Sequence, residues 1–201
     1  MGYRGKRLFD LVLVVGAMPI WLPVLGALSL IVRRKLGTPV LFRQQRPGQD
    51  ARPFTLLKFR TMTDERDASG SPLADADRLT PFGRWLRSTS LDELPELINV
   101  IKGDMSLVGP RPLLLRYVPR YSPRHGRRHE VQPGITGLAQ VSGRNALSWA
   151  DRFELDVHYV DHCSLSMDVQ ILLRTIRPVF FRSGIAARGE ATMSEFTGYD
   201  A

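Results

Sequence analysis

Two neighbouring acids, Asp92 and Glu93, stand in the run Ser90-Leu91-Asp92-Glu93, shortly after Arg84 and Arg87. Downstream, Val108-Gly109-Pro110-Arg111-Pro112 offers a rigid turn carrying an arginine, a side chain whose planar fork suits bidentate grip on phosphate. A third stretch, Gln132 to Asn145, repeats the theme of small residues plus an arginine, here Arg144. Arginines on glycine-rich turns beside paired acids point to phosphoryl chemistry with a divalent metal. A plainer reading stays open. Ser90 to Glu93 also fits a capping box, with Ser90 on the N3 amide and Glu93 reaching back, and first-turn acids stabilise a helix dipole in any protein. Pro95 interrupts such a helix and makes a start at Pro95 the competing boundary. The histidines add little: His158 and His162 are one turn apart, but no glutamate follows the first as in a zinc-protease helix, and His125 and His129 read as surface groups.

These groups need elements to hold them. Strand-like runs Val40 to Gln45 and Phe54 to Thr61 flank Pro47-Gly48, a dipeptide suited to a type II turn, which predicts a hairpin. Residues 63 to 80 are polar and acidic without apolar period, and read as a solvated loop. Helical spacing follows at Phe82 to Leu86, Leu91 to Ile101, Phe153 to Val160 and Val169 to Phe181. Between them, Arg111 to Arg128 is the densest positive region. Its prolines Pro119 and Pro123 make it a poor nucleic-acid recognition helix, which leaves a basic, leucine-interleaved segment for an anionic membrane surface or a solvated face.

The N-terminus carries no charge from Leu11 to Val32, a length able to cross a bilayer as one straight helix. Basic clusters on both sides, Lys6 and Arg7 before, Arg33, Arg34 and Lys35 after, would put one of them on the wrong side of the membrane. Pro19 and Pro23 predict a break near the middle, and each half, at ~1.5 Å rise, would reach only about half of the ~30 Å hydrocarbon core. A re-entrant helix-break-helix over residues 1–35 satisfies both constraints. A spanning helix, a cleaved signal and a buried soluble helix pair are the alternatives. Asp10 is expected at headgroup depth beside Lys6 or Arg7.

Composition narrows the class. The balance of 28 Lys and Arg against 20 Asp and Glu gives a formal net charge of +8, which favours anionic partners without choosing among lipid, phosphorylated substrate and nucleic acid. The single cysteine, Cys163, excludes an intrachain disulfide and a multi-thiolate zinc site, and fits a reducing compartment. The fold class expected is α+β: a mainly helical single domain with a small β-hairpin, residues 36–201 forming the cytoplasmic catalytic region with interfacial helices, behind an N-terminal re-entrant membrane helix.

The fragments Arg46-Pro47-Gly48, Lys58-Phe59-Arg60-Thr61-Met62, Ser90-Leu91-Asp92-Glu93-Leu94-Pro95, Lys102-Gly103-Asp104-Met105-Ser106-Leu107-Val108-Gly109-Pro110-Arg111-Pro112 and Pro133-Gly134-Ile135-Thr136-Gly137-Leu138-Ala139-Gln140, in that order, closely resemble the monotopic phosphoglycosyl transferases, bacterial sugar transferases that initiate glycoconjugate and polysaccharide assembly. The resemblance covers nearly the whole chain. In size, and in the tail from Gly189 to Phe196, it is most similar to small stand-alone members that transfer a phosphorylated N-acetylated, often 6-deoxy, aminosugar. One departure is Leu22-Pro23 where the family often has Ser-Pro at the helix break, which leaves Pro19 as the candidate for the bend.

The resemblance implies that Asp92 attacks the β-phosphate of a UDP-sugar, releases UMP and carries the phosphosugar until undecaprenyl phosphate displaces it, with Mg2+ required and touched by Asp92, and Glu93 supporting geometry or proton transfer. By the same match Lys58, Arg87, Arg111 and Arg144 would hold phosphates or the uridine, with Asp156 and Asp168 completing the polar site. It further implies a monotopic protein on the cytoplasmic face of a bacterial inner membrane, in contact with its phospholipids, independent of nucleic acid, and handing product to downstream glycosyltransferases. Rival readings are transfer of galactose or glucose 1-phosphate for exopolysaccharide, and a non-enzymatic basic adaptor on membrane or nucleic acid.

Overall fold

The computed structural model describes residues 2–143, 147–181 and 195–198. Helices dominate, with two small two-stranded sheets between them. The chain begins with α1 (Lys6–Gly16) and α2 (Met18–Leu36), bent by 63° at Ala17. The break expected at Pro19 or Pro23 falls instead just before both. Pro19 lies in the first turn of α2 and has no N–H to continue the ladder of α1, while α2 runs through Pro23. The indole N–H of Trp21 donates to the Val14 carbonyl at 2.8 Å, so a carbonyl freed at the bend is satisfied. No single helix among the described residues is long and apolar enough to cross a membrane, and the bent pair passes that test only together.

One side of the pair is packed on the body. Val14 and Trp21 join Phe54, Leu56, Val100 and Met105, and Leu28, Val32 and Leu36 join Phe59 and Leu86. The other side leaves Leu8, Val12, Val15, Ile20 and Leu30 exposed. Polar staples fix the first helix: Arg7 donates to the carbonyls of Val100 and Ile101, and the fully buried Asp10 takes Lys6 at 3.2 Å and the Ser106 hydroxyl at 2.8 Å. Asp10 therefore closes an interior contact, where headgroup depth was expected.

The hairpin forms as β1 (Leu41–Pro47) and β2 (Pro53–Phe59), antiparallel from Leu41 opposite Phe59 to Pro47 opposite Pro53. Its connection is not the type II turn expected on Pro47-Gly48. Gly48 is extended, and the left-handed residues are Asp50 (φ 55°) and Ala51 (φ 57°), closed by Gly48 N–H on the Arg52 carbonyl at 2.8 Å. Residues 63–80, expected as a loop, are largely exposed but carry one helical turn at Asp75–Arg78, and after them come α3 (Pro81–Ser88) and α4 (Glu96–Lys102). Then β3 (Ser106–Val108) pairs in parallel with β4 (Gly134–Thr136), and α5 (Leu138–Ser142), α6 (Trp149–His162) and α7 (Leu165–Phe181) follow.

The basic segment between β3 and β4 is short 3-10 and single-turn helix, and its charge is answered inside the chain. Arg116 and Arg120 meet Glu195, Arg124 meets Glu154, Arg127 meets Glu130 and Asp161, and Arg128 meets Asp156. Arg116 and Arg124 stay more than half exposed within these pairs.

Candidate active site

Ser90 has left-handed backbone (φ 56°) and ends the run of α3, and Leu91–Glu93 makes a single 3-10 turn before Pro95 opens α4. The capping box does not form. The Ser90 side chain caps nothing, and the Glu93 carboxylate turns away from Ser90 toward Lys58 and Arg111. The turn thus serves to aim two adjacent acids at the hairpin.

Lys58, on β2, places its ammonium 2.6 Å from Glu93 Oε1 and 3.1 Å from Glu96 Oε1. From the other side both terminal nitrogens of Arg111 donate to Glu93. Glu93 is therefore clamped between two cations. Burial pushes its carboxyl up, but Arg111 and Lys58 outweigh burial and hold it well below the ordinary glutamate range. Asp92, only 8% exposed, has no hydrogen-bond or ion-pair partner among the described residues. Burial, then the charge of Glu93, pushes it up to about 6 against the pull of Lys58, Arg111 and Arg87. Glu96, almost fully buried, is pushed up to about 7 by burial and by Glu93. The three acids titrate as one group, with Glu93 the most anionic and Asp92 the one carboxylate not committed to a cation.

Arg111 is aimed by backbone packing. Gly109 N–H donates to the Thr136 carbonyl at 2.9 Å and Gly134 N–H to the Pro110 carbonyl at 3.0 Å, so the Pro-Arg-Pro turn is held against β4. A Cβ on Gly134 would lie 2.1 Å from the Gly109 nitrogen, and one on Gly137 2.2 Å from the Gly109 carbonyl oxygen, which only glycine at both positions permits. Behind the turn, Arg128 donates to the Arg111 carbonyl at 2.8 Å and to Asp156 Oδ2 at 2.7 and 3.0 Å.

The structure brings Asp92, Glu93, Lys58 and Arg111 together, and sets Arg87 close by, where its Nε donates to the Thr61 hydroxyl at 3.1 Å. It does not bring the two outlying acids to Asp92. Asp156 is paired with Arg128 one layer behind Arg111, because a buried guanidinium needs that charge. Asp168 lies at the start of α7, where it accepts from Lys6 at 2.5 Å, Tyr3 at 3.0 Å and Tyr159 at 2.7 Å and so ties the N-terminal helix to α6 and α7. Arg144 lies outside the described residues. Glu96 and Arg128 were not anticipated. Glu96 stands three residues after Glu93, the spacing at which two acids can share one lysine, and this was the available signal.

Among the described residues no three His, Cys, Asp or Glu side chains gather as a metal cage. Asp92 nonetheless offers a hard oxygen ligand with no ion-pair partner among the described residues, and magnesium is commonly held by one or two carboxylates together with substrate phosphates. The donor set fits an ion that arrives with a phosphorylated substrate.

Comparison with known proteins identifies the family. The model of the bacterial sugar transferase family matches residues 1–182. An uncharacterized sugar transferase EpsL of Bacillus subtilis is 53% identical over 193 residues, 96% of each chain. A UDP-glucose:undecaprenyl-phosphate glucose-1-phosphate transferase of Caulobacter vibrioides is 40% identical over 85% of this chain and 68% of its own. A UDP-N-acetylgalactosamine-undecaprenyl-phosphate N-acetylgalactosaminephosphotransferase of Aeromonas hydrophila is 38% identical over 91% of this chain but only 45% of its own.

Proposed function

Since the chain belongs to the bacterial sugar transferase family and is a transferase, we propose that it moves a sugar 1-phosphate from a UDP-sugar to undecaprenyl phosphate, with Asp92 as nucleophile. The observation that carries this is the contrast between two adjacent acids: Glu93 is clamped by Lys58 and Arg111, while Asp92 is buried and has no hydrogen-bond or ion-pair partner among the described residues. An Asp92 oxygen bonds to the β-phosphorus as the bond to UMP breaks. An oxygen of the polyprenyl phosphate then bonds to the same phosphorus, and the bond to Asp92 breaks, which regenerates the carboxylate and yields a sugar diphospholipid. A pKa near 6 leaves Asp92 ionised at neutral pH and more basic than an ordinary aspartate.

Lys58 and Arg111 hold Glu93 in place and present their remaining donors to phosphate oxygens, Arg87 extends that positive edge, and Arg144 is assigned to the same task by resemblance. Magnesium, when bound at Asp92, would neutralise the diphosphate so that two anions can approach. Glu96, holding a proton up to about pH 7, keeps the lysine shared between two acids from being overwhelmed by negative charge. The bent α1–α2 pair with its exposed apolar side is read as re-entrant in the inner membrane, both ends on the cytoplasmic face, which sets the site at the lipid surface where a prenyl carrier and later glycosyltransferases meet it. The sugar proposed is an N-acetylated aminosugar, with a plain hexose as the alternative, and the relatives named above include both kinds.

The experiment is UMP release by the purified protein in lipid nanodiscs, with undecaprenyl phosphate, magnesium and a panel of UDP-sugars. Release that depends on the lipid acceptor is expected with at least one sugar, foremost UDP-N-acetylgalactosamine. Lack of release with every sugar in the panel would reject the reading.

A further inference from the structure

The fragment Arg46-Pro47-Gly48 has no task in the mechanism above, although it stands on the hairpin that carries Lys58. Residues paired across an antiparallel ladder share a face, and side chains alternate along each strand. Arg46 opposes Phe54, Gln44 opposes Leu56 and Phe42 opposes Lys58, so Arg46 and Lys58 look out of the same face, four residues or roughly 13 Å apart along the ladder. Lys58 reaches the acids at one end of this row. At the other end Arg46 reaches the turn of Arg111: its Nη1 is 3.4 Å from the Pro112 carbonyl oxygen.

The charges along this row are unequal in their partners. Lys58 and Arg111 both lean on Glu93, and Lys58 on Glu96 as well. Arg46 has no ion pair among the described residues. Its Nη2 donates to Gln44 Oε1 at 2.6 Å, and its Nε is buried with no hydrogen-bond partner. Burial and the neighbouring Arg111 lower its pKa to about 10, which still leaves it charged at neutral pH. A half-buried guanidinium beside another guanidinium, with Glu96 acting on it only from beyond ion-pair distance and with a donor left over, is costly unless an anion completes it.

We propose that Arg46 is a phosphate-binding residue of this site, which together with Arg111 grips a phosphate of one of the two substrates. The inference rests on the sugar-phosphate transfer proposed above. Both substrates carry the required group: the UDP-sugar a diphosphate, the polyprenyl carrier a monophosphate. Two guanidiniums that converge on phosphate oxygens give geometry as well as charge, which a lysine would not reproduce.

The test compares Arg46→Gln and Arg46→Lys with wild type in nanodiscs, reading KM for each substrate, kcat and the thermal midpoint. UMP affinity is read separately by calorimetry on the Asp92→Asn background, where no covalent step can occur. The expected result is a rise in KM of about tenfold or more for one substrate in Arg46→Gln, a smaller rise in Arg46→Lys, and a thermal midpoint close to wild type in the lysine variant. A raised KM for UDP-sugar together with weaker UMP binding assigns Arg46 to the nucleotide's phosphate. A raised KM for undecaprenyl phosphate with UMP binding intact assigns it to the lipid's. Unchanged KM for both substrates in Arg46→Lys and Arg46→Gln, with or without a fall in thermal midpoint, would overturn the inference and leave Arg46 as a brace for the Pro112 turn. Wild-type protein that neither binds UMP nor acts on any UDP-sugar would instead defeat the transfer reading, and this inference with it.

Discussion

Asp156→Asn separates a structural acid from a substrate-binding one. Asp156 and Arg128 are each 2% exposed and meet at 2.7 Å, and Arg128 also donates to the Arg111 carbonyl and lies over the rings of Tyr121 and Phe153. Removing one partner of a buried pair strands the other charge, at ~3 to 5 kcal/mol. Asparagine keeps one acceptor oxygen, so the lower figure applies. At about 2 to 4 °C per kcal/mol for a domain of this size, a loss of ~3 kcal/mol lowers the thermal midpoint by roughly 6 to 12 °C. The assay is thermal unfolding followed by tryptophan fluorescence in nanodiscs, beside KM for the UDP-sugar. Replacing both partners, Asp156→Leu with Arg128→Met, is expected to recover most of the midpoint, because no buried charge is then left alone. A midpoint within about 1 °C of wild type in Asp156→Asn, coupled to a steep rise in KM, would refute this reasoning and place Asp156 on the substrate.

Other consequences follow from the same geometry. With Asp92 pushed up to about 6, kcat/KM is expected to fall as pH drops through about 6, and a profile flat down to about pH 5 would contradict the shift. The folded protein holds the Glu96 proton up to about 7, whereas an exposed glutamate at 4.5 has lost it, so Glu96 costs stability as pH rises across that window. Glu96→Gln should therefore gain stability relative to wild type between about pH 5 and about pH 8 and level off above, as read by urea denaturation; a constant difference across pH would assign Glu96 an ordinary pKa. For topology, single cysteines at Gly2 and Lys35, in a chain with Cys163→Ser, are both expected to label only from the cytoplasmic side, and periplasmic labelling of Gly2→Cys alone would establish a spanning arrangement.

Local rules made much of this protein legible. The hairpin followed from alternation on both sides of Pro47-Gly48, and the bent N-terminus from basic flanks and prolines; Arg111 was expected to grip phosphate, and that its fork lies on Glu93 was not legible. What was hidden depended on contacts distant in sequence. Ser90 and Glu93 satisfy the capping pattern, yet Glu93 turned away because Lys58, 35 residues earlier, and Arg111, 18 later, offer full charges where a cap offers one amide. Asp156 and Asp168 could not be told from site acids, since the pattern of the chain does not say that Arg128 and Lys6 reach them first. The partners of the basic segment were hidden for the same reason: its carboxylates lie in α6, in the adjoining turns and in the tail.

The central claim is that Asp92 becomes covalently attached to the phosphosugar. Wild-type protein, mixed with an accepted UDP-sugar and magnesium in the absence of lipid acceptor, is analysed by intact mass spectrometry and then by peptide mapping. One sugar-phosphate mass is expected on the peptide containing Asp92, discharged when undecaprenyl phosphate is added and absent from Asp92→Asn, whose transfer activity should fall to background. No adduct under single-turnover conditions, with more than a few per cent of transfer remaining in Asp92→Asn, would contradict the account.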